Sequence, residues 1–178
     1  QVGLAGSSSI IIATLRCLLE YYEVDMPLEI QPSFALSIEK EELGIGAGLQ
    51  DRVIQCYENM VYMDFDHSQE QHANGLPYYR YERLQLNQQP PLYLAIHTML
   101  SEPTEIFHND LRGRFQRGEP AVVNGMQRFA TLAREGRDAL LAGDFARLHV
   151  LINDNFDTRV SIYRLPDWQT QMVYTARQ

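Results

Sequence analysis

The stretch that decides the fold of this 178-residue chain is Gly3-Leu4-Ala5-Gly6-Ser7-Ser8-Ser9-Ile10-Ile11-Ile12-Ala13. Small residues let a backbone pass close to a ligand, and serines offer hydroxyls or cap a helix. The apolar run that follows predicts a helix, whose first turn has unpaired N–H groups and a partial positive charge. We therefore predict a phosphate-binding loop, with a plain helix cap as the alternative. The loop is not a Walker A motif, because no Gly-Lys-Ser/Thr follows it.

The composition is that of an acidic chain with ordinary apolar content. Its net charge is -8 and its apolar fraction is 45 %. This charge argues against nucleic acid or an anionic membrane as the partner. No run approaches the ~20 apolar residues of a membrane span. Cys17 and Cys56 are too few for a disulfide scaffold, so we expect buried thiols and a cytoplasmic location.

Hydrophobic periodicity predicts helices in the first third of the chain. A largely buried helix is expected over residues 7–22, followed by a strand or connector at 27–31. A second helix opens at Pro32 and runs to about residue 43, with Phe34 and Ile38 facing the core. Glycines end it, and a third helix is expected over residues 49–58.

The pattern then changes to alternation. Residues 61–66 and 79–84 are predicted to form half-buried strands, separated by a loop at 67–77. Residues 88–91 are the predicted domain boundary, and residues 92–98 a buried strand. The remainder is predicted to be helical, over residues 109–117, 120–142, 144–163 and 167–177.

Two acidic residues are candidates for phosphoryl-transfer chemistry. Asp51 falls in the first turn of the third helix, where the helix dipole favours an ionised carboxylate. Such a group can orient an alcohol and accept its proton, or it can simply complement the dipole. Glu39 lies beside the apolar stripe of the second helix and could hold Mg²⁺ together with a hydroxyl. Glu41 and Glu42 are alternative metal ligands, and a solvated charge run is the alternative to any metal site.

The order of these features resembles the GHMP kinases. The second motif of that family has the core Gly-Leu-Gly-Ser-Ser-Ala, and residues 4–9 read Leu-Ala-Gly-Ser-Ser-Ser. The chain departs from the motif at Ala5 and Ser9. Within the family, residues 2–8 and 43–53 look most like the glucuronokinases. Weaker matches extend the likeness along nearly the whole chain, at residues 63–65, 107–108 and 155–157.

The resemblance implies an α+β fold with a GHMP kinase-like two-part architecture. Residues 1–90 would be part of an N-terminal ATP-binding domain, similar to the second domain of ribosomal protein S5. Residues 91–178 would be part of a helix-rich α+β C-terminal domain. The first and third family motifs would lie before residue 1 and after residue 178. We therefore expect an internal fragment, incomplete at both ends, that by itself is poorly active or inactive.

The resemblance also implies a function and a set of site residues. The family transfers the γ-phosphoryl group of ATP to a small-molecule hydroxyl, here expected to be glucuronate or a related sugar at C1. Asp51 and Thr104 would be catalytic, and Ser8 and Glu39 would bind Mg²⁺. The ATP phosphates would contact Gly3, Leu4, Ala5, Gly6, Ser7, Ser8 and Ser9. A non-catalytic nucleotide-binding or regulatory module is the alternative, and the oligomeric state is left open.

Overall fold

A computed structural model describes residues 5–44, 46–95 and 104–178, with the side chains of residues 104–109 left out. The chain divides into one compact unit that ends at Gln85 and another that covers Leu86–Gln178. The division falls a few residues before the predicted boundary, and the assignment of residues 1–90 and 91–178 to two kinase domains stays a prediction. Among the described residues, no helix is long and apolar enough to cross a membrane.

The first unit is built around helices that follow the predicted pattern. They are α1 (Gly6–Tyr21), α2 (Gln31–Ser37) and α3 (Leu49–Tyr57), and a π-helical segment, Ile38–Glu42, continues α2. A core cluster joins them through Ile12 and Leu15 of α1, Ala35 of α2 and Cys56 of α3. Apolar residues spaced three and four apart on α1 explain why one face of that helix is buried here.

The burial of α1 differs from the prediction. Only Ser8, Ile12 and Leu15 of this helix are buried, whereas Ile10, Leu18 and Tyr21 are exposed. Ile38, expected to face the core from the second helix, is exposed as well. The apolar stripe is wider than the surface that α2 and α3 cover, so the prediction of a mostly buried helix is wrong.

The two predicted strands pair with each other, and a second antiparallel ribbon stands where a loop was predicted. In the described part of the first unit, β1 (Val61–Asp64) pairs with β4 (Arg80–Arg83), with Val61 opposite Arg83. Within the region predicted as a loop, β2 (Gln71–Ala73) and β3 (Leu76–Tyr78) form a hairpin. Asn74 and Gly75 both have positive φ, at 50° and 78°, which suits a tight hairpin turn. The loop prediction is wrong for this hairpin.

The second unit is helical in its described part. It contains α4 (Thr104–Gln116), α5 (Pro120–Ala142), α6 (Phe145–Ile162) and α7 (Asp167–Ala176), as predicted except that α4 begins earlier. Residues 92–95 of the predicted buried strand are irregular and exposed, which corrects that prediction, and residues 96–98 lie outside the described residues. Helices and paired strands in one chain confirm the α+β class.

A half-buried contact centred on Arg114 and close helix packing hold the second unit together. Leu111, Val122 and Ile162 form one core cluster of α4, α5 and α6. Arg114 donates through Nε and Nη2 to both carboxylate oxygens of Glu119, and through Nη1 to the carbonyl of Ile162 at 2.6 Å. The contact ties the end of α4 to the start of α5 and the end of α6.

Candidate functional site

The N-terminus of α1 has the geometry of an anion-binding turn. Ala5 is the N-cap residue and adopts a left-handed conformation, with φ 54° and ψ 31°. The first bond of the helix runs from the Ser9 N–H to the Ala5 carbonyl, at 3.0 Å. The N–H groups before Ser9 therefore have no partner within the helix. A left-handed residue followed by a right-handed helix forms a concave nest of N–H groups that suits a phosphate.

Among the residues that the structure describes, no side chain caps this helix end. Ala5 cannot cap the helix, no side-chain cap bond is formed, and the first turn holds no acidic residue. The serines stand inside the first turn instead of before it, so the N-cap residue is Ala5 and none of the serines. The partial positive charge of the helix end is left uncompensated by the described residues.

Ser8 is a buried polar residue in this turn. Its side chain is 0 % exposed, and its hydroxyl has no hydrogen-bond partner among the described residues. Leaving a buried hydroxyl unpaired typically costs about 1–3 kcal/mol. Such groups are uncommon in folded proteins, and a water, an ion or a ligand can supply the missing partner. Ser8 thus fits the predicted role of a ligand to phosphate or metal.

Glu39 is buried within the π-helical segment, with its side chain 3 % exposed. Glu41 and Glu42 on the same segment are exposed. The wider turn, closed by the Leu43 N–H on the Ile38 carbonyl at 3.2 Å, is of the kind often found at functional sites. Of the three glutamates left open by the sequence, Glu39 is therefore the one held inside the protein.

Both carboxylate oxygens of Glu39 are bonded to Arg52 of α3. Nε of Arg52 donates to Oε2 at 2.6 Å, and Nη2 donates to Oε1. Nη1 donates to the carbonyl of Gly48 at 3.1 Å. The Arg52 side chain is only 5 % exposed, so the pair is a bidentate salt bridge shielded from water.

Asp51 stands at the other side of the same guanidinium. Its Oδ2 lies 3.7 Å from Nη1 of Arg52, and its side chain is 57 % exposed. It occupies the first turn of α3, after the N-cap residue Gly48, as predicted. The carboxylate is therefore open to a ligand while its backbone is fixed in a helix. Its catalytic role stays a prediction.

The structure thus brings two of the predicted site residues together and leaves others apart. Arg52 connects Glu39 to Asp51, while the Ser8 hydroxyl bonds to neither. Ser8 shares the buried face of α1 with Ile12, which packs toward α2 and α3. Thr104 is the first residue of α4, and its side chain lies outside the described residues, as do Gly3 and Leu4.

Arg52 is the residue that sequence reasoning missed. It lies on the buried side of α3, between Leu49 and Cys56 at helical spacing. A charged residue on a face otherwise filled by apolar side chains requires a buried partner. That signal was present in the sequence, but it does not say which acidic residue provides the partner.

The residues fit the implied Mg²⁺ unevenly. The Ser8 hydroxyl is unpaired and can serve as an oxygen ligand, whereas Glu39 already neutralises Arg52. Among the described residues, no group of three His, Cys, Asp or Glu side chains could hold a metal ion. This set of residues suits a Mg²⁺ ion that is bound mainly by the phosphates of a nucleotide and by few protein ligands.

One cysteine is buried and the other exposed, and a cavity lies in the second unit. Burial raises the pKa of Cys56 to about 11, which makes it a poor nucleophile. Cys17 is exposed, so the prediction of a buried thiol is wrong for that residue. A cavity of about 720 Å³ is lined only by residues of the second unit, including Asp110, Arg114 and Arg164. It does not include the turn at α1.

Comparison with known families identifies the class. Residues 1–59 match the family described as GHMP kinases N terminal domain. This match covers the turn at α1, Glu39 and the first turn of α3. The first part of the chain therefore matches the N-terminal domain of the GHMP kinases, and the resemblance predicted from the sequence is confirmed.

Three relatives show which kinases the chain resembles. The chain is 40 % identical to probable glucuronokinase 2 and 38 % identical to glucuronokinase 1, both from Arabidopsis thaliana, over its whole length. It is 21 % identical over 88 % of its length to the D-glycero-alpha-D-manno-heptose 7-phosphate kinase of Campylobacter jejuni. The chain spans about half the length of these relatives, at 49 %, 49 % and 45 %. No solved structure matches it.

Proposed function

We propose that this chain provides the ATP-binding and catalytic helices of a sugar kinase that phosphorylates glucuronate or a related acid sugar at C1. The observation that carries the proposal is the buried hydroxyl of Ser8, which has no hydrogen-bond partner among the described residues and stands at a helix N-terminus whose first N–H groups are unpaired within the helix. The likeness to glucuronokinases over the whole chain supports the acceptor. A non-catalytic module is not favoured, because these relatives bear the names of enzymes.

The N-terminus of α1 would hold the phosphates of ATP. The N–H groups of Gly6, Ser7 and Ser8 would donate to phosphate oxygens, and the left-handed turn at Ala5 lets the backbone approach them. Mg²⁺ would neutralise charge that develops on the transferred group, and the Ser8 hydroxyl is the protein group that fits it best. Contacts to ATP from Gly3, Leu4 and Ser9 stay predictions.

Asp51 would orient the acceptor. Its exposed carboxylate would accept a hydrogen bond from the sugar hydroxyl and take its proton as the oxygen attacks the γ-phosphorus. The bond from that phosphorus to the β–γ bridging oxygen breaks, and ADP leaves. The roles of Thr104 near the reaction centre and of Glu39 as a metal ligand stay predictions, as does a cytoplasmic location.

The test measures phosphoryl transfer by the full-length protein. ATP and Mg²⁺ are supplied with glucuronate, glucose or a heptose phosphate, and the product is identified by ³¹P NMR. We expect a sugar 1-phosphate from glucuronate. Asp51→Asn should lower kcat about 10²–10⁴-fold and leave ATP binding intact. Asp167→Asn is the matched control, because Asp167 also occupies the first turn of a helix, α7, and is exposed.

Two results would contradict the proposal. Transfer to none of the sugars, with ATP still bound, would favour a nucleotide-binding module. Near-normal turnover by Asp51→Asn would remove Asp51 from the chemistry and leave the kinase without its acceptor-orienting group.

A further inference from the structure

We infer that Arg52 is a positioning residue for Asp51, and that Glu39 serves as the buried counter-charge of Arg52 instead of as a metal ligand. The inference rests on the proposed function and deepens it. It changes what Glu39 is expected to do and gives a role to a residue that the family resemblance did not single out.

The contacts of Arg52 use every nitrogen of its guanidinium. Nε and Nη2 bind the two oxygens of Glu39, and Nη1 binds the Gly48 carbonyl at 3.1 Å. Glu39 belongs to the π-helical segment after α2, whereas Gly48 is the N-cap of α3. One side chain therefore fastens the first turn of α3 to the preceding helix and reaches the Asp51 carboxylate at 3.7 Å.

Burial makes the salt bridge obligatory for both partners. Each side chain is at most 5 % exposed, so neither charge is solvated when the other is removed. A buried ion pair broken at one partner is strongly destabilising, since an uncompensated charge remains. The salt bridge between Glu39 and Arg52 thus fixes the segment that carries Glu39 against the helix that carries Asp51.

The same geometry argues against a metal at Glu39. Mg²⁺ requires oxygen ligands at about 2.0–2.1 Å in near-octahedral order. Both Glu39 oxygens already accept charge-assisted bonds, and a divalent cation there would lie beside a guanidinium in a buried site. Like charges in such surroundings repel strongly. Glu39 is therefore fitted to balance Arg52.

The consequence for catalysis concerns the position of Asp51. Its side chain is exposed, and its Oδ2 lies 3.7 Å from Nη1 of Arg52. A catalytic group displaced by 1 Å can lose about 10²-fold in rate. By fixing the backbone turn that carries Asp51, Arg52 keeps the carboxylate where an acceptor hydroxyl can meet it.

The experiment is a double-mutant cycle in the full-length protein. Arg52→Gln, Glu39→Gln and the double variant are compared, with Lys40→Gln as the control, because Lys40 is exposed on the same segment and belongs to no predicted site. We expect each single variant to lower kcat by about 10–100-fold while KM for ATP changes less than about threefold. The double variant should be no worse than Arg52→Gln alone, and the Mg²⁺ requirement of Glu39→Gln should be unchanged.

A second measurement needs no activity. Without nucleotide or metal, both single variants should unfold at a lower temperature than wild type, and the double variant should lose less than the sum of the two. Arg52→Lys keeps the positive charge but lacks the planar guanidinium that binds both oxygens of Glu39. This variant should fold even if Arg52→Gln does not, and its kcat should be lowered as in Arg52→Gln.

The outcomes separate this inference from the proposed function. A several-fold higher Mg²⁺ requirement in Glu39→Gln alone would make Glu39 a metal ligand and overturn the inference. Normal kcat in Arg52→Gln and Arg52→Lys would remove the positioning role. If wild type transfers no phosphate, the proposed function and the positioning role both fail, whereas the unfolding cycle still decides whether the salt bridge is formed.

Discussion

Ser8 lies one helical turn before Ile12 on the same face of α1, and the two side chains are 0 % and 2 % exposed. Ile12 packs against α2 and α3, while the Ser8 hydroxyl has no partner among the described residues. The face that anchors the helix in the core thus continues, at its N-terminal end, into a polar group held ready for a ligand.

Ser8→Ala should change stability and binding in opposite directions. Removing an unpaired buried hydroxyl relieves its desolvation cost, and alanine is the better helix former. Without nucleotide, we expect the free energy of unfolding to rise by about 1 kcal/mol. ATP affinity should fall by about tenfold, the equivalent of one lost hydrogen bond. Urea unfolding and titration calorimetry measure the two effects.

Ser9→Ala is the control for that experiment, because Ser9 is exposed next to Ser8. Its free energy of unfolding should rise only by the small amount by which alanine is the better helix former, because the hydroxyl of Ser8 is still present. A loss of stability in Ser8→Ala would show that the hydroxyl is paired in the folded protein, and would remove the main support for a ligand at this turn.

Two glycines of α5 should respond oppositely to alanine. A Cβ at Gly125 would lie 2.9 Å from Cδ1 of Ile162, in a buried cluster, whereas a Cβ at Gly136 would meet nothing within 4 Å. We expect Gly125→Ala to destabilise by about 1–2 kcal/mol through overpacking. Gly136→Ala should stabilise by about 0.5–1 kcal/mol. Thermal unfolding measures the change in Tm of each variant. Equal changes in Tm would contradict the close packing of α5 against α6.

The two cysteines should differ in reactivity. Cys17 is exposed on α1, whereas Cys56 is buried in the core cluster with a pKa raised to about 11. Brief treatment of the folded protein with iodoacetamide should therefore modify Cys17 and spare Cys56. Mass spectrometry should find both modified after unfolding in urea. Early modification of Cys56 would show that α1 and α3 separate readily.

Stability should fall in alkaline solution. The thiol of Cys56 ionises near its ordinary pKa of 9.0 in the unfolded chain, but near 11 in the folded one. Between these values the folded state binds more protons, so the free energy of unfolding decreases as the pH rises, by up to about 3 kcal/mol. Burial also raises the pKa of Tyr57 and Tyr81, which adds to the loss.

Cys56→Ala isolates the cysteine from the tyrosines. The variant should start from a lower stability, because of the small cavity, and should lose less of it between pH 9 and 11. Urea unfolding at several pH values measures both slopes. Parallel slopes for the variant and wild type would mean that the thiol is not desolvated.

Helices were predicted well because their signals are local. The periodicity of α3 and the stops of α5, with Pro120 at its start and left-handed Gly143 after its end, act within a few residues. The hairpin at Asn74 and Gly75 was missed because strands of three residues are too short to show alternation. The apolar residues 92–95 resemble a buried strand in sequence, yet Tyr93 is 95 % exposed.

The sequence by itself determined the turn that opens α1, the position of Asp51 in the first turn of α3, and the family that residues 1–59 match. Capping, the helix dipole and periodicity are short-range effects, so neighbouring residues suffice to predict them. Only the tertiary structure decided that Glu39 pairs with Arg52 and that Ser8 is buried with no partner in the described part of the chain. Those outcomes depend on which surfaces meet in space and which charges lose their water, and no local pattern specifies them.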